Sequence, residues 1–142
     1  MIEPSTHLHW SAAYIGKPFL PLGENGEGFD CWRLVTAVYR DELGIALPDY
    51  TGGMSAFERA EVAALIKGAV ASSMWTPVTE ILPFDVLVFR RGRLATHVGV
   101  AIDARQMLHV DEERPAHVAR FDRSPWRECR TAAVRYSGGF GS

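Results

Sequence analysis

The stretch "ATHVGVAIDARQMLHVDEE", residues 95–113, holds two alternating runs on either side of a short polar break. In the first, Val98, Val100 and Ile102 recur at every second position, the period at which strand side chains point to one face. His97 takes the other parity, with Gly99 and Ala101, so its face is lined by small residues, expected to leave space for a helix end or a substrate to approach. The second run, "QMLHVDE", places His109 in the next strand. A three-residue loop at Asp103–Arg105 pairs Ile102 with Gln106 and sets His97 opposite Asp111. His109 then becomes a same-face diagonal neighbour of His97, about 7–8 Å away. A two- or four-residue loop puts the histidines on opposite faces.

Outward from this hairpin, the runs "WTPVTEI", "DVLVFRR", "HVARF" and "TAAVRYS" are rich in valine and alternate in the same way, with short turns between them. Ahead of them the pattern is helical. "HWSAAYIG" reads as a short helix ended by Gly16, and "KPFLPLGENGEGF" as an irregular loop of glycines and prolines. In "DCWRLVTAVYRDELG" the apolar Leu34, Val35 and Val38 follow Cys31 at offsets 3, 4 and 7, one stripe of a helix with Cys31 on its buried side. Asp30 suits the N-cap and Gly44 the stop. Ser55 and Glu58 form a capping-box pattern that opens a second helix, with Phe57, Ala60, Ala64 and Leu65 on its packing face. Helices first and strands afterwards predict an α+β fold, a helical amino-terminal half packed on a central antiparallel sheet. The 142 residues, 47% of them hydrophobic, suit a single domain over 1–142 with its own core.

The chemistry turns on Cys31. A thiol at a helix amino terminus has its thiolate stabilised by unpaired N–H groups and by the positive end of the dipole. Free cysteine is also among the most buried residue types, so packing alone is the plain alternative. A base changes the balance. Cys31 would attack a carbonyl, His97 would take the thiol proton and return one to the leaving amine, and His109 would orient His97. The backbone N–H of Cys31 would help hold the oxyanion.

This arrangement resembles a known family. "GKPF", "GFDCW", "LPFDVLVFRRGRLATHVGVAID" and "MLHVDEE" are similar to the NlpC-type cell-wall cysteine peptidases, particularly the branch of tailed phages and phage-derived gene transfer particles. The likeness runs from about Tyr14 to Asp111. It implies a papain-like fold, Cys31 as nucleophile, His97 as base and His109 as the orienting third residue. It also implies hydrolysis of peptidoglycan stem peptides, commonly at the γ-D-glutamyl to diamino-acid bond. Phe19, Asp30, Trp32 and Arg33 are expected to border the substrate. Three positions depart from the common pattern: Phe19 replaces a frequent tyrosine, Arg33 a small residue, and Phe84 the glycine of a Pro-Gly-Asp turn.

Other classes find less in the chain. Lys plus Arg (15) nearly balance Asp plus Glu (17), which leaves no basic stripe for nucleic acid. No apolar run reaches the roughly 18 residues of a membrane span, and the amino terminus lacks a signal-peptide pattern. The expected product is soluble, made in the cytoplasm and carried to the cell wall by a tail tip or baseplate, or by lysis. Cys31, His97 and His109 are competent zinc ligands, but no close-spaced pair accompanies them, so neither metal nor cofactor is expected. His7 and His9 read as terminal polar sequence, His117 as an ordinary strand residue, and Cys129 as structural. Arg90, Arg91 and Arg93 read as a solvated turn able to attract acidic wall polymers. Fold does not fix function, so a silent tail-tip protein and a thiol-dependent amidase or acyltransferase stand as alternatives.

Overall fold

All six expected strands form, and they assemble into one antiparallel sheet. The structure is a computed structural model that describes residues 9–19, 31–47, 67–68, 74–91, 94–111 and 113–137, with 94–96 described by backbone alone. The strands are β1 (Trp75–Pro77), β2 (Val86–Arg91), β3 (Leu94–Ala101), β4 (Gln106–Asp111), β5 (Arg114–Arg120) and β6 (Arg130–Tyr136), in the spatial order β1-β6-β2-β3-β4-β5.

The principal helix, α1, is described over Cys31–Val38. Its burial is wider than one stripe, because Trp32 and Ala37 are buried beside Leu34, Val35 and Val38. It runs into a π turn over Tyr39–Leu43 and stops at Gly44, whose left-handed φ of 67° is the conformation glycine adopts without a steric penalty. The expected helix at "HWSAAYIG" is a 3-10 turn, Trp10–Ala13. The helix expected from Ser55 lies outside the described residues except for Lys67 and Gly68, which are helical. A short helix that the strand pattern does not announce, α2 (Trp126–Cys129), precedes β6.

Alternation gives the sheet two faces with separate cores. Val86, Val88, Val98, Val100, Leu108, Val110 and Val134 pack with Leu34, Val35 and Val38 of α1. Each such side chain, fully buried, contributes about 1.5–3 kcal/mol. The opposite parity gathers Leu87, Phe89, Ala101, Met107 and Ala133 with Phe121, and Trp126 of α2 packs against them.

The β3–β4 hairpin has the three-residue loop. Ile102 N–H donates to the Gln106 carbonyl, and the Asp103 carboxylate accepts from the N–H groups of Arg105 and Gln106 at 2.8 Å each. This local turn fixes the register, with Val100 opposite Leu108 and Ala101 opposite Met107. At the entry to β2, buried Asp85 accepts from Leu82 N–H and from the Arg135 guanidinium, which binds both carboxylate oxygens at 2.9 Å.

Candidate active site

His97 comes from β3 and His109 from β4, and the hairpin register brings their rings together. Continuing the pairing of Val100 with Leu108 sets Gly99 across from His109 and His97 across from Asp111. His97 Nε2 and His109 Nδ1 lie 2.9 Å apart, with the ring planes nearly perpendicular at 82°. Both side chains are buried, 2% and 0% exposed. Because one ring nitrogen of each is engaged in this contact, His97 retains Nδ1 as the atom able to take a proton from a thiol.

Aromatic rings enclose the pair. Trp126 stacks on His97 at 5.2 Å and meets His109 edge-on at 4.9 Å, while Phe89 meets Trp126 at 5.0 Å. Burial penalises the imidazolium form, so His97 is held well below the usual histidine range, and the neighbouring His109 adds to the effect. His109 is pushed down to about 3, again chiefly by burial and then by His117, against the opposing pull of Asp111. Both rings therefore rest neutral, the state a general base requires. Asp111 itself is held by Arg91 at 3.2 Å and by the N–H groups of Glu113 and Arg114 at 3.0 Å each.

Cys31 is partly buried at the first described residue of α1, and α1 packs on β3 and β4, the two strands that carry the histidines. The helix sits on the face of Val98, Val100, Leu108 and Val110, whereas His97 and His109 belong to the alternate parity. The ring contacts described for His97 are with Phe89, His109 and Trp126. Cys31's helix thus packs on the strands that carry the histidines but on their other face, and the described contacts join the two histidines to each other. The small-residue face does not hold open space: a Cβ on Gly99 would meet Met107 Sδ at 2.8 Å and His109 Cβ at 3.3 Å.

The residues expected to border the substrate fall in different places. Phe19 is half-buried against the core that holds α1. The Trp32 indole is buried and meets Trp75 edge-on, so it anchors the helix. Arg33 is 7% exposed, deeper than its charge alone suggests. Asp30 lies outside the described residues. Cys129 is a free thiol that packs beside the second core, as a structural residue would.

Two participants escape the sequence pattern. Trp126 covers the histidine pair from a short helix with no strand periodicity to place it. His117 is the direct cross-strand partner of His109, its ring centroid 4.4 Å away. Its signal lies in the alternation of "HVARF", readable only with the β4–β5 register in hand.

The family description "NlpC/P60 family" matches residues 16–135, a span that holds the thiol, both histidines and all of the sheet but the last residue of β6. The chain belongs to the NlpC/P60 family. Among curated NlpC/P60-like relatives, a protein of Escherichia coli K12 named murein DD-endopeptidase MepS/murein LD-carboxypeptidase is 25% identical over 113 residues. That match covers 80% of this chain and 52% of the relative, so the chain spans about half the length of the curated protein. Solved structures share the fold. An NlpC/P60 protein of Bacillus cereus ATCC 10987 superposes with a TM-score of 0.65 at 21% identity, over 89% of this chain and 37% of that one. The NlpC/p60 domain of the peptidoglycan hydrolase SagA gives 0.58 at 20%, over 88% and 92%. The central antiparallel sheet with few helices is the α+β, papain-like architecture of these NlpC/P60 domains.

Proposed function

We propose that the chain is a cysteine peptidase that hydrolyses peptide bonds in bacterial peptidoglycan stem peptides. The observation that carries the reading is the buried, neutral pair of His97 and His109, joined at 2.9 Å on the strands against which Cys31's helix packs. In the proposed reaction the Cys31 thiol gives its proton to His97 Nδ1 as Sγ attacks the carbonyl carbon, a step that requires Sγ to reach the histidine face from the valine side on which α1 packs. The tetrahedral oxyanion collapses, His97 returns the proton to the departing amine, and a thioester remains. Water, deprotonated by the same nitrogen, then releases the acid and restores the thiol.

The bond proposed is the γ-D-glutamyl to diamino-acid linkage, and the setting a phage tail or gene-transfer particle that opens the wall locally. Both rest on the likeness of "GKPF", "GFDCW" and "THVGVAID" to that branch. Phe19, Asp30 and Arg33 are proposed to line the approach to the thiol, and the Trp32 backbone to flank it. A second reading, a scaffold that keeps the fold without turnover, draws on His97 being 2% exposed behind Trp126.

Purified peptidoglycan and defined stem peptides, incubated with the protein and with Cys31→Ala, separate these readings when new amino ends are identified by mass spectrometry. Cleavage at the γ-D-glutamyl bond by the wild type alone is the expected result. Cleavage only at D,D or L,D bonds would move the specificity to that in the E. coli relative's name. Equal product from both proteins removes Cys31 from the reaction, and no product from either favours the scaffold.

A further inference from the structure

We propose that His117 is a positioning residue that fixes which nitrogen of His109, and through it which nitrogen of His97, carries the proton; this rests on His97 being the general base. His117 Nδ1 lies 2.8 Å from the Pro115 carbonyl oxygen, which can only accept, so Nδ1 carries hydrogen, and in the neutral form of the ring that leaves Nε2 as the lone pair. That Nε2 is buried without a hydrogen-bond partner among the described residues, and so is Nε2 of His109. The two rings belong to direct cross-strand partners and pack at 4.4 Å with a 55° tilt.

The His97–His109 contact can be written in two ways. If His109 Nδ1 carries the hydrogen, it donates to His97 Nε2, the remaining proton of neutral His97 sits on Nδ1, and the base is blocked. If His97 Nε2 carries it, Nδ1 of His97 is a lone pair and His109 holds its own hydrogen on Nε2. The 2.9 Å contact fits both. His117 breaks the tie. A lone pair on its Nε2, which is buried like that of His109, is repelled by a second lone pair on His109 Nε2 and attracted by an N–H there. The tilted rings make no in-line hydrogen bond, so the coupling is electrostatic and gains strength from the low local dielectric. The chain of polarity runs from Pro115 O through His117 and His109 to a free Nδ1 on His97.

The test reads tautomers directly. In the Cys31→Ala background, two-bond proton–nitrogen NMR spectra of 15N-histidine-labelled protein at pH 7.5 are expected to show a bare Nδ1 on His97 and a protonated Nε2 on His109. With His117→Phe, which keeps bulk and loses the acceptor, the Nδ1-protonated form of His97 should become a major species. His117→Gln, whose amide oxygen accepts, should restore the original pattern. In the active protein His117→Phe should lower kcat about tenfold with KM within about twofold, and His117→Gln should recover most of it. His117→Leu makes the same comparison if His117→Phe fails to fold. Unchanged His97 and His109 tautomers in the acceptor-less variant overturn the inference and leave the triad standing. A shifted tautomer without any peptidase activity would instead sink the proposed function alone.

Discussion

His97 Nε2 meets His109 Nδ1 at 2.9 Å, and that single contact holds the imidazole of His97 by one nitrogen while leaving the other available. In the proposed reaction, removing the Cys31 thiol or the His97 base deletes a chemical step, whereas removing His109 deletes only the restraint. Cys31→Ala and His97→Ala are expected to abolish turnover of stem peptides. His109→Ala should retain a residue, with kcat lower by roughly 10²-fold. Initial rates on a defined peptide check the order, and a wild-type rate for His109→Ala would strike it from the triad.

The same burial makes the pair a pH-dependent load on the fold. In the unfolded chain each histidine titrates near its ordinary value of about 6.5. In the folded chain His97 is far lower and His109 is pushed down to about 3. Between those limits the unfolded state binds more protons, so stability is fully present above about pH 6.5 and is lost as pH falls toward 3. Each group contributes a slope of about 1.4 kcal/mol per pH unit in that window. Urea midpoints at pH 7 and pH 5 should differ less for His109→Gln than for the wild type. An equal difference would show that His109 is not held neutral in the fold.

Legibility of the fold and the site in the sequence depends on whether the signal is local. The Asp103 turn sits beside the residues it pairs, so a three-residue loop and strand parity are enough to put His97 and His109 on one face. Gly44 stops α1 for an equally local reason, its left-handed φ. The role of Trp126 is not legible, because a four-residue helix carries no period and meets the histidines only after the chain has passed through β5. The opposite sides taken by Cys31's helix and the histidines are half legible. Alternation separates His97 from Val98, but only the observed cores show that α1 packs on the valine side.

Trp126 gives a prediction of its own. Its ring stacks on His97 and meets His109 edge-on, and so it excludes water from their hydrogen bond. Trp126→Ala should admit solvent, raise the pKa of both histidines toward the ordinary range and lower kcat. NMR titration of the C2 protons would register the upward move, and an unmoved titration would assign the depression to the sheet alone.

Gly99 is a packing requirement of the pair. An added Cβ meets Met107 Sδ at 2.8 Å, which the flexible thioether can yield, but also His109 Cβ and the Leu108 carbonyl at 3.3 Å, which are tied to β4. Gly99→Ala should cost about 1–3 kcal/mol and displace His109 from His97. Measured against Met107→Ala alone in a denaturant titration, Gly99→Ala should cost less than in the wild type but not nothing, because the contacts with His109 Cβ and the Leu108 carbonyl persist. No cost in that background would mean that Met107 alone set the limit.

Phe84 occupies the turn position where the resembling peptidases carry glycine, and its φ of 73° lies in the left-handed region that favours glycine. A non-glycine residue there costs about 1–2 kcal/mol. The conformation is held from three sides. The Phe84 ring stacks on Trp10 at 4.9 Å, its carbonyl accepts from the Tyr39 hydroxyl, and its N–H donates to the Ala101 carbonyl at 2.8 Å. Substitution by alanine keeps the strain and loses the stack, worth about 0.5–1.5 kcal/mol beyond burial. Substitution by glycine loses the stack but removes the strain. Phe84→Ala should therefore be less stable than Phe84→Gly by about 1 kcal/mol, reversing the usual order in which alanine is the more stabilising residue. Urea unfolding of the two variants reads the sign. If Phe84→Ala is the more stable, the turn relaxes out of the left-handed region once the ring is gone, and Phe84 holds its own backbone there through Trp10.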